Sequence, residues 1–436
     1  MNPMASHDPT LAILRHRHGI WNLWPRLNFQ GNHHMTLLRG GDALFAAMGA
    51  AFAQARETIW LATYLFCDDD VAHSLALVLV EAARRGVKVK VVVDGFGSKS
   101  SLASLRTWLN HPGIKFVVFR PIDRWWQWFS PSQLRRMHYK LCVVDGQAAF
   151  VGGINVIADR NELQHGWSEV PRLDFAVELR GPSVLQIEQT ALAIWTRASL
   201  GRIWREEVLD LVKSKSPLTT IRQMSKRLRQ SPPLRLTRPP LASLLPVRLA
   251  FVVRDNLRQR HAIERSYIDA INRASERIDI VTPYFYPGWK FSRALSHAAE
   301  RGVHIRLLMQ GKVDYRLARL AAQVLYDNLL AKGVQIFEYT HAFLHAKMAV
   351  IDEDWATIGS SNIDPFSLLL NLEANIVIQD RPFAAEVRHE LDLAIAASRS
   401  VAASPNPRGT LAVVRRSFVA WLAYGFLRLA GLNARY

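Results

Sequence analysis

Two histidines in this 436-residue chain stand in the same setting. His138 is followed by Lys140 two residues on, Asp145 five after that and Asn155 ten further; His345, Lys347, Asp352 and Asn362 repeat the spacing. On a strand, residues two apart project from one face, so each motif offers an imidazole beside an ammonium while Tyr139 or Ala346 turns the other way. Two such pairs brought together make a cationic pocket that fits a phosphate. An unprotonated imidazole nitrogen in such a pocket could attack phosphorus. Asn155, Asn362 and Ser360 are candidate phosphate donors, needing no particular charge state. An attacking imidazole also needs an acceptor on its other nitrogen, and Asp174 and Glu373, at comparable distances downstream of the two motifs, are the candidates. Asp145 and Asp352 complete the catalytic motif, but each closes its strand ahead of Gly146 or Glu353, which gives it a structural, site-supporting part. No metal or other cofactor is called for, since no compact His/Cys/carboxylate cluster stands in the sequence.

The elements that must position these groups also come twice. A helical pattern over Leu44 to Ala55 leads to a strand at Thr58 to Tyr64, a helix ending at Arg85-Gly86 and a strand at Val87 to Val93. The order recurs from Tyr267: helix to Ala274, strand Ile278 to Tyr284, helix to Arg301-Gly302, strand Val303 to Met309. Gly86 and Gly302 fall where a left-handed residue would end each helix. The duplication predicts two pseudo-twofold α/β/α domains, each a mostly parallel or mixed sheet flanked by helices, with the active site at their interface. The expected boundaries are an N-terminal extension over 1–36, domains over 37–200 and 249–400, a basic Pro-containing linker over 201–248, and an apolar, basic C-terminal segment over 401–436.

Composition bounds the setting. An apolar fraction of 49% supplies a sizeable core, and 55 basic against 37 acidic residues leave a formal charge of +18, which suits a polyanionic partner. Only Cys67 and Cys142 occur, both in apolar stretches, so no disulfide framework is indicated. No secretory signal and no run of about 18 apolar residues is visible, so any membrane attachment is expected to be peripheral. Two places fit that attachment. Trp125, Trp126, Trp128 and Phe129 lie among arginines, and the C-terminal stretch mixes Trp421 and apolar residues with Arg415, Arg416 and Arg428, a pattern for an in-plane interfacial helix.

These motifs resemble the phospholipase D superfamily, whose signature is two His-x-Lys-x4-Asp motifs, and the likeness runs from about Leu37 to Arg388. More narrowly the chain is similar to the bacterial cardiolipin synthases of that superfamily that lack N-terminal transmembrane helices. The residues carrying this are Tyr64-Leu65-Phe66, Asp94-Gly95-Phe96-Gly97-Ser98, Arg254-Asp255-Asn256, Tyr284-Phe285-Tyr286-Pro287-Gly288 and Gly359 through Pro365 with Asn371 through Asn375. The resemblance implies phosphatidyl transfer through a phosphohistidine, His138 as nucleophile and His345 as general acid and then base. It implies phosphatidylglycerol as both donor and acceptor, glycerol as leaving group, and a place on the cytoplasmic face of the bacterial inner membrane against anionic phospholipid. Hydrolysis by water is the nearest alternative. A nuclease of the same superfamily suits the charge but not the tryptophans, so no nucleic-acid partner is expected. The oligomeric state stays open.

Overall fold

Each half of the chain starts with a strand, followed by a helix, and then repeats the strand and helix order; in the first half Arg39 ends the strand and Gly40 begins the helix. The computed structural model describes residues 27–122, 135–163, 165–213, 247–255, 259–312, 326, 329–364, 367–368 and 371–402, with backbone alone for 201–213. The first half holds β1 (Gln30–Arg39), α1 (Gly40–Gln54), β2 (Thr58–Thr63), α2 (Asp70–Arg84), β3 (Lys88–Asp94), α3 (Leu102–Trp108), β4 (Ile114–Phe119), β5 (Lys140–Val144), β6 (Ala148–Gly152), β7 (Phe175–Arg180) and α4 (Val184–Lys213). The second holds β8 (Val247–Arg254), α5 (Ala262–Arg273), β9 (Arg277–Val281), α6 (Trp289–Glu300), β10 (His304–Gln310), β11 (Gln335–Tyr339), β12 (Met348–Ile351), β13 (Trp355–Gly359), β14 (Glu373–Gln379), α7 (Arg381–Ala396) and β15 (Ser398–Ser400).

Fifteen strands are hydrogen-bonded in the order β15-β11-β10-β9-β12-β13-β14-β8-β1-β7-β6-β5-β2-β3-β4. Reading outward from the β1/β8 junction, the two halves show one order, so the duplication inferred from sequence is a duplication of topology. The sheet is mixed rather than largely parallel. Only β2-β3-β4 and β9-β10-β11 run parallel; β5, β6 and β7, with their counterparts β12, β13 and β14, pair antiparallel. The reason is the short turn after each motif strand. Asp145 and Gly146 both take positive φ (52° and 64°), and the Gln147 N–H closes onto the Val144 carbonyl at 2.9 Å. That is a hairpin turn whose twist suits an antiparallel pair, and it is too short for a crossover.

Strands β5, β6, β12 and β13 are buried on both faces. In β2, Ile59 and Leu61 join the core beneath α1, α2 and α3, whereas Trp60 and Ala62 join a second core formed by α4, α7 and strands of both halves. Residues of β13 and β14 pack across that shared core against β6 and β7, which fixes the halves relative to one another. The helices are stopped where the sequence placed stops: Gly86 and Gly302 have φ of 94° and 86°. Asp69 caps α2 by accepting from the Ala72 N–H at 2.9 Å, and Asp380 caps α7 through the Phe383 N–H at 2.9 Å.

Two domain limits shift. β1 begins at Gln30, inside the stretch assigned to the N-terminal extension, and α4 continues to Lys213, past the limit at 200. The first half of β1 is polar by sequence, yet its His33 is buried because its ring meets the Val247 carbonyl at 3.2 Å and the Ser183 hydroxyl at 3.0 Å. A polar strand whose polar groups are satisfied leaves no hydrophobic alternation to read.

Candidate active site

His138 and His345 each sit just before a motif strand, where that strand's end meets the other half. The His138 N–H donates to the Leu372 carbonyl at 3.0 Å and the Leu372 N–H to the Arg136 carbonyl at 2.8 Å. In mirror fashion the His345 N–H donates to the Leu173 carbonyl at 2.9 Å and the Leu173 N–H to the Phe343 carbonyl at 2.8 Å. Each contact delivers the next residue of the opposite half, a carboxylate, to the imidazole. Nδ1 of His138 lies 3.0 Å from Oε2 of Glu373, and Nδ1 of His345 lies 2.6 Å from Oδ2 of Asp174. The pairs are therefore crossed: each half orients the other half's histidine. A carboxylate only accepts, so each Nδ1 carries the proton and each Nε2 keeps its lone pair for chemistry.

The lysines complete the cluster. Lys140 Nζ donates to the His138 carbonyl at 2.9 Å, and Lys347 Nζ donates to the His345 carbonyl. Burial and the opposing ammonium of Lys347 outweigh Glu373 and bring the Lys140 pKa down to about 7. Burial likewise outweighs Asp174 and Glu373 and brings Lys347 down to about 8. Burial lowers His138 against the pull of Glu373, and burial with Lys347 takes His345 down to about 3. Asp174 goes the other way: burial pushes it up, but His345 and Lys347 together hold it below the ordinary carboxylate range. Burial is the first cause of the downward shift at each lysine and histidine, with Lys347 adding to it at Lys140 and His345, and an anion beside the two lysines would favour their charged forms.

Asn155 and Asn362 are both buried, with their Oδ1 atoms unpartnered among the described residues. Ser360 is different. Its hydroxyl donates to Glu373 Oε2 at 2.6 Å and accepts from the Ala374 N–H at 3.0 Å. It buttresses the carboxylate that orients His138 and is not placed as a phosphate ligand. Gly153 occupies the matching position in the first half, where a Cβ would come within 2.3 Å of Asp174 Oδ1. Serine with glutamate and glycine with the shorter aspartate are two solutions to one packing problem.

Asp145 and Asp352 stand at the far ends of β5 and β12, about 16 Å of extended chain from the lysines. Asp145 accepts from the Arg56, Glu57 and Thr58 N–H groups, each at 2.8 Å, and Asp352 from Ser275, Glu276 and Arg277, each at 2.9 Å. Their membership of the motif is structural: they clamp the helix-to-strand turn that aligns β2 or β9 beside the motif strand. Asp352→Ala is expected to cost about 1–3 kcal/mol of stability, seen as a lower melting temperature, while the folded enzyme keeps most of its turnover. Although burial pushes the Asp352 pKa up, three backbone N–H donors outweigh it and hold it below the ordinary value. That stability is present above the unfolded pKa of about 3.9 and is lost as pH falls through the folded one.

Three supporting groups escaped the sequence reading of chemistry. Asp94, fully buried at the end of β3, accepts from the Met137 N–H at 2.9 Å and lies 3.7 Å from Arg136. Gln310, at the matching end of β10, accepts from the Leu344 N–H at 3.1 Å. The residue before each motif histidine is thus tethered by the last residue of a parallel strand. Arg254 lies buried opposite Glu373 in the β8/β14 register, and its own pKa falls to about 10 because burial outweighs that carboxylate. The signal available was the repeat, which aligns Asp94 with Gln310 as strand ends. The membrane-contact candidates Trp125, Trp126, Trp128, Phe129, Arg415, Arg416, Trp421 and Arg428 lie outside the described residues.

A duplicated α/β unit whose halves each lend a His/Lys pair to one pocket and a carboxylate to the other's histidine defines a two-domain phospholipase D-type protein. The fold agrees: phosphatidylserine synthase of Haemophilus influenzae Rd KW20 superposes over 94% of this chain and 96% of its own with a TM-score of 0.60, at 13% identity. The family model described as cardiolipin synthase, PLD-like domain, matches residues 48–166 and 267–394. Cardiolipin synthase B of Escherichia coli K12 is 35% identical over 404 residues, 92% of this chain and 90% of its own length. Cardiolipin synthase A of Pseudomonas putida GB-1 is 30% identical over 84% of this chain and 69% of its own. The chain belongs to the cardiolipin synthase family of phospholipase D-like proteins.

Proposed function

We propose that the protein is a phosphatidyltransferase that joins two phosphatidylglycerol molecules into cardiolipin and releases glycerol. The observation that carries this reading is the crossed pair of histidines, each with Nδ1 held by a carboxylate and each beside a lysine. The donor's phosphodiester sits among Lys140, Lys347, Asn155 and Asn362. His138 Nε2 attacks phosphorus, the bond to the glycerol oxygen breaks, and His345 gives that oxygen its proton. The second phosphatidylglycerol then yields its hydroxyl proton to His345, its oxygen attacks phosphorus, and His138 leaves unchanged. The histidine side chains differ in exposure, 9% for His138 and 18% for His345, which suits a sheltered nucleophile and an acid-base that meets both alcohols. Burial, with Lys347, keeps His345 neutral in the free pocket near neutral pH; the negative phosphodiester offsets Lys347 and itself favours the imidazolium, so His345 takes up its proton once the lipid is bound.

Among the described residues no helix is long and apolar enough to cross a membrane. Peripheral attachment to the cytoplasmic face of the inner membrane, through anionic phospholipid, belongs to the same proposal. The test is incubation of the purified protein with phosphatidylglycerol vesicles and a chelator, with mass spectrometry of the lipids. Cardiolipin and glycerol in equal amounts support the transferase; phosphatidic acid alone makes the protein a hydrolase, and no turnover removes the reading.

A pH profile offers a further check. Lys140 and Lys347 titrate near 7 and 8 in the free pocket, and only their charged forms attract the phosphodiester. The expected kcat/KM therefore falls as pH rises through about 7 to 8, with apparent values that belong to the coupled pair. A flat profile from pH 6 to 9 would contradict this.

A further inference from the structure

We propose that the rim made by residues 160–163 and 165–169 with the N-terminus of α6 is the face that docks on an anionic bilayer, with Trp167 and Trp289 entering the headgroup region. The inference rests on the phospholipid-substrate reading and adds where the membrane meets the protein. Of the large apolar side chains in the described residues, the two most exposed are Trp289 at 70% and Trp167 at 69%; Trp167 lies in a small hairpin that pairs Asn161–Glu162 with Gly166–Trp167, and Leu163, next in the chain after Glu162, is 41% exposed. The other two, Leu77 and Leu393, lie on the outer sides of α2 and α7.

Both tryptophans are tied to the second motif. In the hairpin that carries Trp167, the His165 ring lies 5.2 Å from that of Phe343, two residues before His345. Trp289 follows Tyr286 by three residues, and the Tyr286 N–H donates to the carbonyl of Ile363 at 2.7 Å, next to Asn362. Cations accompany both segments: Arg293 lies 5.1 Å over the Trp289 ring, Lys312 5.4 Å over that of Phe343, and Lys290 and Arg160 are exposed. The hairpin's acids are Glu162, paired with Arg172 at 3.0 Å, and the exposed Glu169. Tryptophan favours the depth at which acyl chain meets headgroup, and cations favour anionic headgroups. A phosphodiester in a bilayer lies at that same depth, so tryptophans on segments whose His165 and Tyr286 touch Phe343 and Ile363, neighbours of His345 and Asn362 in sequence, would set the pocket mouth at its substrate.

The test is the full-length Trp167→Ala/Trp289→Ala protein, with Leu393→Ala as an exposed-leucine control. Cosedimentation with phosphatidylglycerol-containing vesicles is expected to weaken by about tenfold or more in the double variant and to stay unchanged in the control. Turnover on vesicles should fall with binding, while turnover of a short-chain phosphatidylglycerol below its micellar concentration stays within about twofold of wild type. Unchanged vesicle binding overturns the docking face and leaves cardiolipin synthesis standing. A parallel loss on the monomeric lipid also overturns it, since the tryptophans would then serve the acyl chain or the fold. Wild-type protein that binds vesicles through these residues but makes no cardiolipin from either lipid would instead sink the proposed reaction.

Discussion

His138→Ala should yield a folded protein whose cardiolipin synthesis is lower by on the order of 10⁴-fold or more, because the scheme has no second route from donor to acceptor. The substitution leaves Glu373 buried without its imidazole, so part of any loss could come from damage to the fold. His138→Asn, which keeps a polar partner for Glu373, separates the two: it should melt close to wild type and be equally inactive. Near-normal turnover in either folded variant would remove the covalent scheme. Lipid mass spectrometry reads the first quantity and thermal melting the second.

Glu373→Gln should disable a histidine that belongs to the other half of the chain. Because Glu373 holds Nδ1 of His138 at 3.0 Å, losing its charge weakens the nucleophile, and kcat should fall by about 10² to 10⁴ with little change in KM. Asp174→Asn should be comparably slow on phosphatidylglycerol for another reason, since it acts through His345. A phosphatidyl ester of p-nitrophenol tells them apart, because its leaving group departs as an anion and needs no proton. Single-turnover release of p-nitrophenolate should be largely restored in Asp174→Asn and remain slow in Glu373→Gln. Equal restoration in both would mean that the carboxylates do not divide their work between nucleophile and acid.

The pairing rule for these carboxylates shows where sequence reading stops. An imidazole that attacks with Nε2 requires an acceptor on Nδ1, so the need for an acceptor followed from chemistry, and Asp174 and Glu373 were candidates for it by their positions downstream. That each serves the distant motif follows from two parallel bridges, Met137 with Leu372 and Leu173 with Leu344, which no local pattern encodes. Ser360 was misread for a related reason: a hydroxyl after glycine looks like a phosphate donor until the buried Glu373 beside it is seen to claim it. Asp145 and Asp352 were legible as strand ends, because a turn follows each, but their partners lie more than 70 residues away in sequence. Sheet direction was legible only where a helix separates two strands, as from β2 to β3; the hairpins after the motif strands made the rest antiparallel. The repeat survived all of this, since buried strands and glycine-stopped helices announce themselves by period and by breaker.

The most direct test of the chemistry is to trap the intermediate. Wild-type protein mixed with phosphatidylglycerol, quenched at alkaline pH because phosphohistidine is acid-labile, and digested for mass spectrometry should show a phosphatidyl adduct on the peptide containing His138. The adduct should release cardiolipin when fresh phosphatidylglycerol is added before the quench. An adduct on His345 would reverse the assigned roles, and cardiolipin formation with no adduct on either histidine, under conditions that preserve a synthetic phosphohistidine peptide, would contradict a covalent mechanism.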